Sequence, residues 1–179
     1  MSEPLLIAVF GPESTGKTEL ATKLAGHFRA PLVLEYAREF WDEHGAIALE
    51  DIAPIAREQW RREDAAIANG APLVICDTEA LTTVLWSDLL YGTCPEEVRR
   101  IAQKRTRRYA LYLLLDSDVA FVADPQRCFP SAEDREKCRR IWRGALESQG
   151  LPYVVVSGDW AKREQVAHEA IQRLMRDRA

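Results

Sequence analysis

The chain has 179 residues, of which 47% are hydrophobic, and it carries a formal net charge of -4. A chain of this length and apolar content can bury one substantial core, which predicts a single domain over residues 1–179. The negative charge argues against a general binder of nucleic acid or of anionic membranes, and no apolar run reaches the length of a membrane span. We therefore expect a soluble, cytoplasmic protein that acts on a small molecule; the sequence does not indicate its oligomeric state.

The cysteines indicate neither a zinc site nor a redox motif. They form no C-x-x-C pair, and no histidine stands at a metal-ligand spacing from them. We expect four reduced thiols, at Cys76, Cys94, Cys128 and Cys138.

Short apolar runs alternate with longer helical patterns along the chain. The runs are Leu5 to Phe10, Pro31 to Glu35, Pro72 to Cys76, Ala110 to Leu115 and Tyr153 to Ser157. This alternation predicts an α/β three-layer sandwich in which helices cover both faces of a five-stranded parallel sheet. Because ligands bind at the carboxyl ends of the strands in such sheets, the residues after each run are the candidate site residues.

The first run is followed by GPESTGKT, Gly11 to Thr18, which matches the pattern G-x-x-x-x-G-K-[ST] at a junction of strand and helix. Glycines let such a loop curl so that its N–H groups face an anion at the helix N-terminus. Lys17 would reach the β- and γ-phosphates of a nucleotide, and the Thr18 hydroxyl would bind Mg²⁺. The loop residues expected to bind the nucleotide are Gly11, Glu13, Ser14, Thr15, Gly16, Lys17 and Thr18.

The second run leads into EYAREFW, Glu35 to Trp41. An acid at this strand end is where a small-molecule kinase needs a group that accepts a proton from the attacking hydroxyl or positions it. Arg38 follows on a short helix, while Tyr36 and Trp41 offer flat faces to an aromatic substrate. The alternative is that Glu35 and Arg38 form a surface ion pair and that the two aromatic residues only pack.

The third run ends in LVICD, which places the Asp77 carboxylate beside the phosphate loop. There it would hold Mg²⁺ directly or through water and contact the reacting groups. The alternative is that Asp77 only caps the helix that follows. Glu79 is expected in the first turn of that helix, where the helix dipole favours an acid.

Three further segments carry helix-capping signals. Asp51 is a candidate cap for the helical stretch Asp51 to Asn69, Ser131 with Asp134 matches a capping box, and Gly150 is expected to end the helix that begins there.

The segment after the fourth run, approximately residues 116–139, has the character of a lid. A long loop leads into a helix with Arg135 and Arg139 one turn apart, so closure would bring cations, with Arg127 in the loop, onto the transferring phosphoryl group. The alternative for each arginine is an exposed ion pair. A denser basic run, Arg99 to Arg108, is expected to be a solvated helix face neutralised by nearby acids.

Four stretches together, GPESTGKT, EYAREFW, VICDTEALTTVLW and FVADPQR, resemble the ribosylnicotinamide kinase domain of NadR-type proteins in order and spacing, from about Leu6 to Met175. The resemblance implies a P-loop kinase-like fold with an arginine-bearing lid. It also implies phosphorylation of the ribose 5′-hydroxyl of nicotinamide riboside, with ATP and Mg²⁺, to nicotinamide mononucleotide and ADP. The residues that it assigns to the site are Lys17, Thr18, Glu35, Tyr36, Arg38, Asp77 and Arg127.

The chain departs from the full NadR pattern in two respects. It has no H-x-G-H motif and no N-terminal DNA-binding domain, so nucleotide adenylylation and repressor activity are not expected. Pro125 replaces a glycine in the lid, which stiffens that loop. Other nucleoside kinases, and a regulatory nucleotide-binding module without catalysis, remain alternatives; an N-K-x-D guanine motif is absent from the sequence.

Overall fold

The computed structural model describes residues 3–178, and five strands in this range form one fully parallel sheet. The strands are β1 (Leu5–Phe10), β2 (Leu32–Val33), β3 (Leu73–Asp77), β4 (Leu111–Leu115) and β5 (Tyr153–Val156), in the order β2-β3-β1-β4-β5. The predicted α/β class and the parallel sheet are confirmed.

Seven α-helices connect and flank the strands within the described residues. They are α1 (Lys17–Phe28), α2 (Tyr36–His44), α3 (Ile52–Ala68), α4 (Ala80–Tyr91), α5 (Glu96–Arg105), α6 (Ala132–Gln149) and α7 (Trp160–Asp177). Short 3₁₀ turns at Leu49–Asp51 and Thr106–Arg108 precede α3 and follow α5. None of these helices is long and apolar enough to span a bilayer.

Strand β1 lies in the middle of the sheet and is buried on both faces. Its alternate residues Ile7 and Val9 pack with α1 and α7, while Ala8 and Phe10 pack with α4 and α6 on the opposite face. Covering both faces explains why this strand is a continuous apolar run without polar alternation. The three predicted layers are therefore confirmed.

The sheet order brings all five strand ends to one edge of the molecule. The chain leaves β1 towards β2 and β3 on one side and returns to β4 and β5 on the other. A crevice at the carboxyl ends of the strands follows from this reversal of direction. The phosphate loop, Glu35, Asp77 and the lid all follow strand ends, so the topology gathers them.

Of the three capping signals, one holds, one holds in half and one is wrong. Gly150, with φ 61°, ends α6 as predicted. The Ser131 hydroxyl accepts the Asp134 N–H at 3.0 Å, but the Asp134 carboxylate accepts the Ser131 hydroxyl at 2.6 Å rather than its backbone N–H, so only half of the capping box forms. The prediction for Asp51 is wrong: its carboxylate accepts the Ala48 N–H at 2.8 Å and makes no cap bond to α3. The reason is the extra 3₁₀ turn, which moves the start of the helical segment three residues earlier.

Acids pair with part of the basic run, so its predicted neutralisation holds in part. Arg99 pairs with Asp88, Arg105 pairs with Glu63 and Asp64 of α3, and Arg108 also pairs with Asp64, while Arg105 is largely buried rather than solvated. These contacts lie on the α3–α5 side of the molecule and fix α5 against the rest of the fold.

Candidate active site

The phosphate loop, Gly11 to Thr18, joins β1 to α1 in a conformation that requires glycine at two positions. At Gly11, with φ 151°, an added Cβ would lie 2.9 Å from the Leu115 carbonyl oxygen. At Gly16, with φ 85°, an added Cβ would lie 2.1 Å from the Trp160 ring. Any side chain at either position would push the loop away from β4 or from α7.

Two side-chain hydrogen bonds shape the interior of the loop. The Pro12 carbonyl accepts the Thr15 hydroxyl at 2.9 Å and the Lys17 ammonium at 2.8 Å. Lys17 lies at the wall of a cavity, and its ammonium has further donors for a phosphate group. The loop therefore places an ammonium group beside the cavity, where it can bind an anion.

Thr18 and Asp77 meet at the base of the loop. The Thr18 hydroxyl donates to Asp77 Oδ2 at 2.5 Å, and Asp77 is 1% exposed. Among the described residues, Asp77 Oδ1 has no hydrogen-bond partner. Desolvation raises the pKa of the Asp77 carboxyl, while the Lys17 charge and the Thr18 hydroxyl oppose the shift.

This pair of residues fits a magnesium ion. A hydroxyl and a carboxylate are the hard oxygen ligands that Mg²⁺ prefers, and the orphaned Oδ1 is a ligand atom with no competing contact. No group of three or more His, Cys, Asp or Glu side chains suited to a metal occurs within residues 3–178. The remaining ligands would then be phosphate oxygens and water, as is usual for Mg²⁺ at a nucleotide.

Glu35 stands at the N-terminal end of α2, and its side chain makes no cap bond to that helix. It lines the same cavity as Lys17 and Asp77. Desolvation raises the pKa of the Glu35 carboxyl to about 7; Lys17 and Arg38 lower it, and Asp77 raises it further. Such a carboxyl can exchange a proton near neutral pH, which is what a general base requires.

The cavity has a volume of about 960 Å³ and lies over the carboxyl ends of the strands. The phosphate loop forms one wall, α2 forms a second, and the lid loop covers the top. Residues that line it outside the phosphate loop are Glu19, Leu34, Glu35, Arg38, Glu39, Asp42, Glu43, Asp77, Trp86, Val119, Ala120, Val122, Gln126, Arg127 and Trp160.

The α2 wall is acidic, and the two aromatic residues expected there face elsewhere. Tyr36 and Trp41 do not line the cavity. The Tyr36 ring lies 4.5 Å from the Arg62 guanidinium of α3. The backbone N–H of Tyr36 donates to Gln59 Oε1 at 2.8 Å. Tyr36 is the first residue of α2 and packs against α3, whereas Glu35 precedes the helix with an extended backbone and faces the cavity.

The aromatic wall comes from Trp86 of α4, which sequence reasoning missed. Its ring stacks on Phe129 at 6.0 Å and meets Trp142 edge to face at 4.7 Å. The available signal was its position in the stretch after Asp77, two helical turns beyond Glu79, on a helix that begins at the site. Trp160, at the start of α7, is a second aromatic residue at the cavity that was not predicted.

The lid loop, residues 116–131, is attached to the phosphate loop. Glu13 accepts the N–H groups of Cys128 and Phe129 at 2.9 and 2.6 Å, and the Ser14 hydroxyl accepts the Val122 N–H at 2.8 Å. The side chains of Glu13 and Ser14 therefore hold the lid loop, while their backbone groups remain part of the phosphate loop.

The lid loop also contacts α2 across the cavity. Arg38 pairs with Asp124 at 2.5 Å, and Gln126 donates to Asp42 at 3.3 Å. The lid loop thus contacts both walls of the cavity in this structure.

The three lid arginines occupy different places. Arg127 lines the cavity and donates to the Val122 carbonyl. Arg135 lies outside it, 5.7 Å from the Phe121 ring, and Arg139 pairs with Asp116 at 3.3 Å. Of the three, only Arg127 is brought to the cavity in this arrangement.

Glu79 stabilises the start of α4 from a buried position. Its carboxylate accepts the N–H groups of Leu81 and Thr82 at 2.7 and 3.1 Å, as expected for an acid at a helix N-terminus. Desolvation raises the pKa of this carboxyl to about 8, against the two backbone hydrogen bonds. Glu79 thereby fixes the turn that positions Asp77, two residues earlier.

Comparisons with known proteins agree with this arrangement. The trifunctional NAD biosynthesis/regulator protein NadR of Escherichia coli (strain K12) is 27% identical over 175 residues, covering 94% of this chain and 42% of that protein. The chain therefore spans less than half the length of this relative.

Two solved structures share the fold. The crystal structure of NadR protein in complex with NR is 23% identical, with a TM-score of 0.75, over 93% of this chain and 51% of that one. NadR protein in complex with NAD and AMP-PNP is 22% identical, with a TM-score of 0.71, over 96% and 49%. The P-loop kinase-like fold and the resemblance to NadR-type proteins are confirmed.

A family model described as AAA domain matches residues 6–163, from the second residue of β1 to the first turn of α7. The match includes the phosphate loop, Glu35, Asp77 and the lid. Since it spans most of the sequence, the chain belongs to the AAA domain family.

Proposed function

We propose that this chain is an ATP-dependent kinase that phosphorylates the ribose 5′-hydroxyl of nicotinamide riboside and releases nicotinamide mononucleotide and ADP. The observation that carries the proposal is that Glu35, with a pKa raised to about 7, shares one cavity with Lys17 and the Thr18–Asp77 pair. A proton acceptor, a phosphate-binding cation and a magnesium-binding pair are the parts that phosphoryl transfer to a hydroxyl requires.

The phosphate loop and Lys17 bind the β- and γ-phosphates. The Lys17 ammonium also stabilises the negative charge that develops on the transferring phosphoryl group. Glu35 accepts the proton of the attacking hydroxyl and orients its oxygen towards the γ-phosphorus. Thr18 and Asp77 would hold Mg²⁺, which when bound would neutralise part of the phosphate charge. The closed lid excludes water, which would otherwise compete as the acceptor, and Arg127 adds a cation at the cavity.

The acidic wall of α2 favours a cationic acceptor. Glu35, Glu39, Asp42 and Glu43 line it. Arg38 on the same face is paired with Asp124, and Arg62 of α3 pairs with Glu39, so within residues 3–178 Asp42 and Glu43 have no ion-pair partner. Nicotinamide riboside carries a permanent positive charge on a flat pyridinium ring, and Trp86 is the aromatic residue of α4 at the cavity that would contact this ring. The riboside of nicotinic acid adds a carboxylate, which this wall would repel.

A nucleoside panel tests the proposal directly. ADP release is measured with ATP, Mg²⁺ and nicotinamide riboside, nicotinic acid riboside, adenosine, thymidine or cytidine, and the phosphorylated product is identified by mass. We expect the highest kcat/KM for nicotinamide riboside and no turnover by Lys17→Ala. A higher value for thymidine or cytidine would contradict the assigned substrate, and nucleotide binding without turnover of any acceptor would contradict catalysis.

A further inference from the structure

Arg163, in the first turn of α7, is a charged side chain with 0% of its surface exposed. Burying a guanidinium is costly unless its donors are satisfied. Its Nε donates to the Gly158 carbonyl at 2.9 Å and one terminal nitrogen to the Thr15 carbonyl at 3.0 Å. The other terminal nitrogen donates to the Asp116 carbonyl at 2.8 Å and to the Asp118 carboxylate.

These acceptors belong to three separate loops at the edge of the sheet. Thr15 is in the phosphate loop after β1, Asp116 and Asp118 begin the lid loop after β4, and Gly158 follows β5. Asp118 also accepts the Gly158 N–H at 2.6 Å. One planar guanidinium therefore joins the phosphate loop, the base of the lid and the start of α7.

The contact with Thr15 has a consequence for the neighbouring amide. The Thr15–Gly16 peptide is trans, so its C=O and N–H point in opposite directions. Since Arg163 holds the C=O from behind the loop, the Gly16 N–H points away from Arg163. Thr15 and Gly16 both line the cavity, and the N–H of such a loop is the group that contacts phosphate.

We infer that Arg163 is a positioning residue for the nucleotide phosphates, which fixes the orientation of the Thr15–Gly16 peptide without touching the ligand. This inference deepens the proposed function and rests on it, since it takes the cavity to bind a nucleotide. The competing explanation is that Arg163 only stabilises the packing of α7.

Arg105 provides a matched control. It is also largely buried, and one of its terminal nitrogens donates to the Trp60 carbonyl at 3.2 Å and to Glu63 at 2.9 Å. These partners are in α3, and neither Arg105 nor any of them lines the cavity. Loss of the Arg105 guanidinium should lower the free energy of unfolding, as loss of the Arg163 guanidinium does, but should leave the phosphate loop unchanged.

The experiment compares Arg163→Lys with Arg105→Lys in calorimetric titrations of ADP with Mg²⁺, alongside melting temperatures. Lysine keeps the charge and loses the fork that reaches several carbonyls at once. We expect both variants to melt lower than the wild type. The Kd for ADP should rise about tenfold in Arg163→Lys, the scale of one lost charge-assisted hydrogen bond, and change less than twofold in Arg105→Lys.

Steady-state kinetics provide a second test, because a purely structural role would not change the KM for one substrate alone. The KM for ATP should rise in Arg163→Lys while the KM for the riboside at saturating ATP stays within twofold. If Arg163→Lys does not fold, Arg163→Gln replaces it, because a neutral amide needs no buried counter-charge, and Arg105→Gln becomes its control.

An ADP affinity within twofold of the wild type in a folded Arg163 variant would overturn the inference, as would an equal loss in the Arg105 control. The two proposals fail in different ways. Wild-type protein that binds ADP but phosphorylates no riboside contradicts the proposed function alone, because the ADP titration needs no acceptor. Wild-type protein that binds no ADP contradicts both.

Discussion

Glu35 and Asp77 are two carboxyls with raised pKa that share one cavity but differ in their contacts. Asp77 is hydrogen-bonded to Thr18, while Glu35 makes no cap bond and faces the open space. Loss of a general base lowers a rate by roughly 10²- to 10⁴-fold. We expect Glu35→Gln to lower kcat on this scale at every Mg²⁺ concentration, and Asp77→Asn to recover part of its activity at raised Mg²⁺. Equal responses of both variants in a magnesium titration would contradict the division of roles.

The raised pKa of Glu35 also predicts a pH dependence. A base acts when deprotonated, so kcat/KM should increase with pH and level off above about 7. Glu35→Gln should remove this rise. Glu39→Gln is the control, because Glu39 lines the same wall but its pKa is lowered by hydrogen bonds from Arg62. If kcat/KM of a folded Glu35→Gln variant still rises near pH 7, another group is responsible for the rise.

Variants of Trp86 and Tyr36 test which of these two aromatic residues contacts the riboside. A cation over an aromatic face gains about 0.5 to 2 kcal/mol, and a loss near the upper end of that range is a KM increase of roughly five- to thirtyfold. We expect this increase for the riboside in Trp86→Ala, with the KM for ATP unchanged. Trp86→Phe should cost less, and Tyr36→Ala should leave the riboside KM within twofold. A larger increase in the riboside KM for Tyr36→Ala than for Trp86→Ala would assign the stacking role to Tyr36.

Sequence reasoning selected Tyr36 because its flat ring stands beside Glu35. Glu35 has an extended backbone before the helix, however, and Tyr36, the first residue of α2, packs against Arg62 of α3. The α2 residues that accompany Glu35 at the cavity are one and two turns later, at Arg38, Glu39, Asp42 and Glu43. Helical spacing could have identified these four residues, whereas the position of Trp86 along α4 is a much weaker signal.

The lid loop is the element whose contacts determine access to the cavity. The Arg38–Asp124 pair joins it to α2 at 2.5 Å, with Arg38 half exposed. We expect Asp124→Ala to let water enter, so that ATP hydrolysis without acceptor rises while phosphorylation of the riboside falls several-fold. Glu136→Ala, which removes one of the two acidic partners of Arg139, should change neither rate. The ratio of ADP to phosphorylated riboside measures this coupling, and an unchanged ratio in Asp124→Ala would contradict the role of the pair.

The elements were predictable to different degrees for physical reasons. Runs buried on both faces, such as β1 and β4, stand out as continuous apolar sequence, and their bounds agree within one residue. Strand β2 is at the sheet edge and pairs only over Leu32–Val33, so its five-residue run was too long. Arg163 carries no local signal at all, because its acceptors are 5 to 148 residues distant in sequence and meet only in the folded chain.

At the scale of the whole molecule, nucleotide binding should act on stability because the site joins several strand ends. A ligand at 100 times its Kd stabilises the folded state by about 2.7 kcal/mol, which for a chain of this size raises Tm by roughly 5 to 10 °C. We expect this shift with ADP and Mg²⁺ in a thermal melt. Lys17→Ala should show a much smaller shift at the same concentration, and an equal shift would place the nucleotide away from the phosphate loop.

The attachment of the lid to Glu13 gives the chain its own chemical reporter. Cys76, Cys94 and Cys138 are buried, and Cys128, in the lid loop, is exposed. Desolvation and the nearby Glu13 carboxylate raise the pKa of the Cys128 thiol. Because Glu13 of the phosphate loop also accepts the Cys128 N–H, a nucleotide that shifts this loop would change the surroundings of the exposed thiol. The rate at which a maleimide dye labels the wild-type chain, compared with and without ADP, would therefore report nucleotide binding with no engineered cysteine.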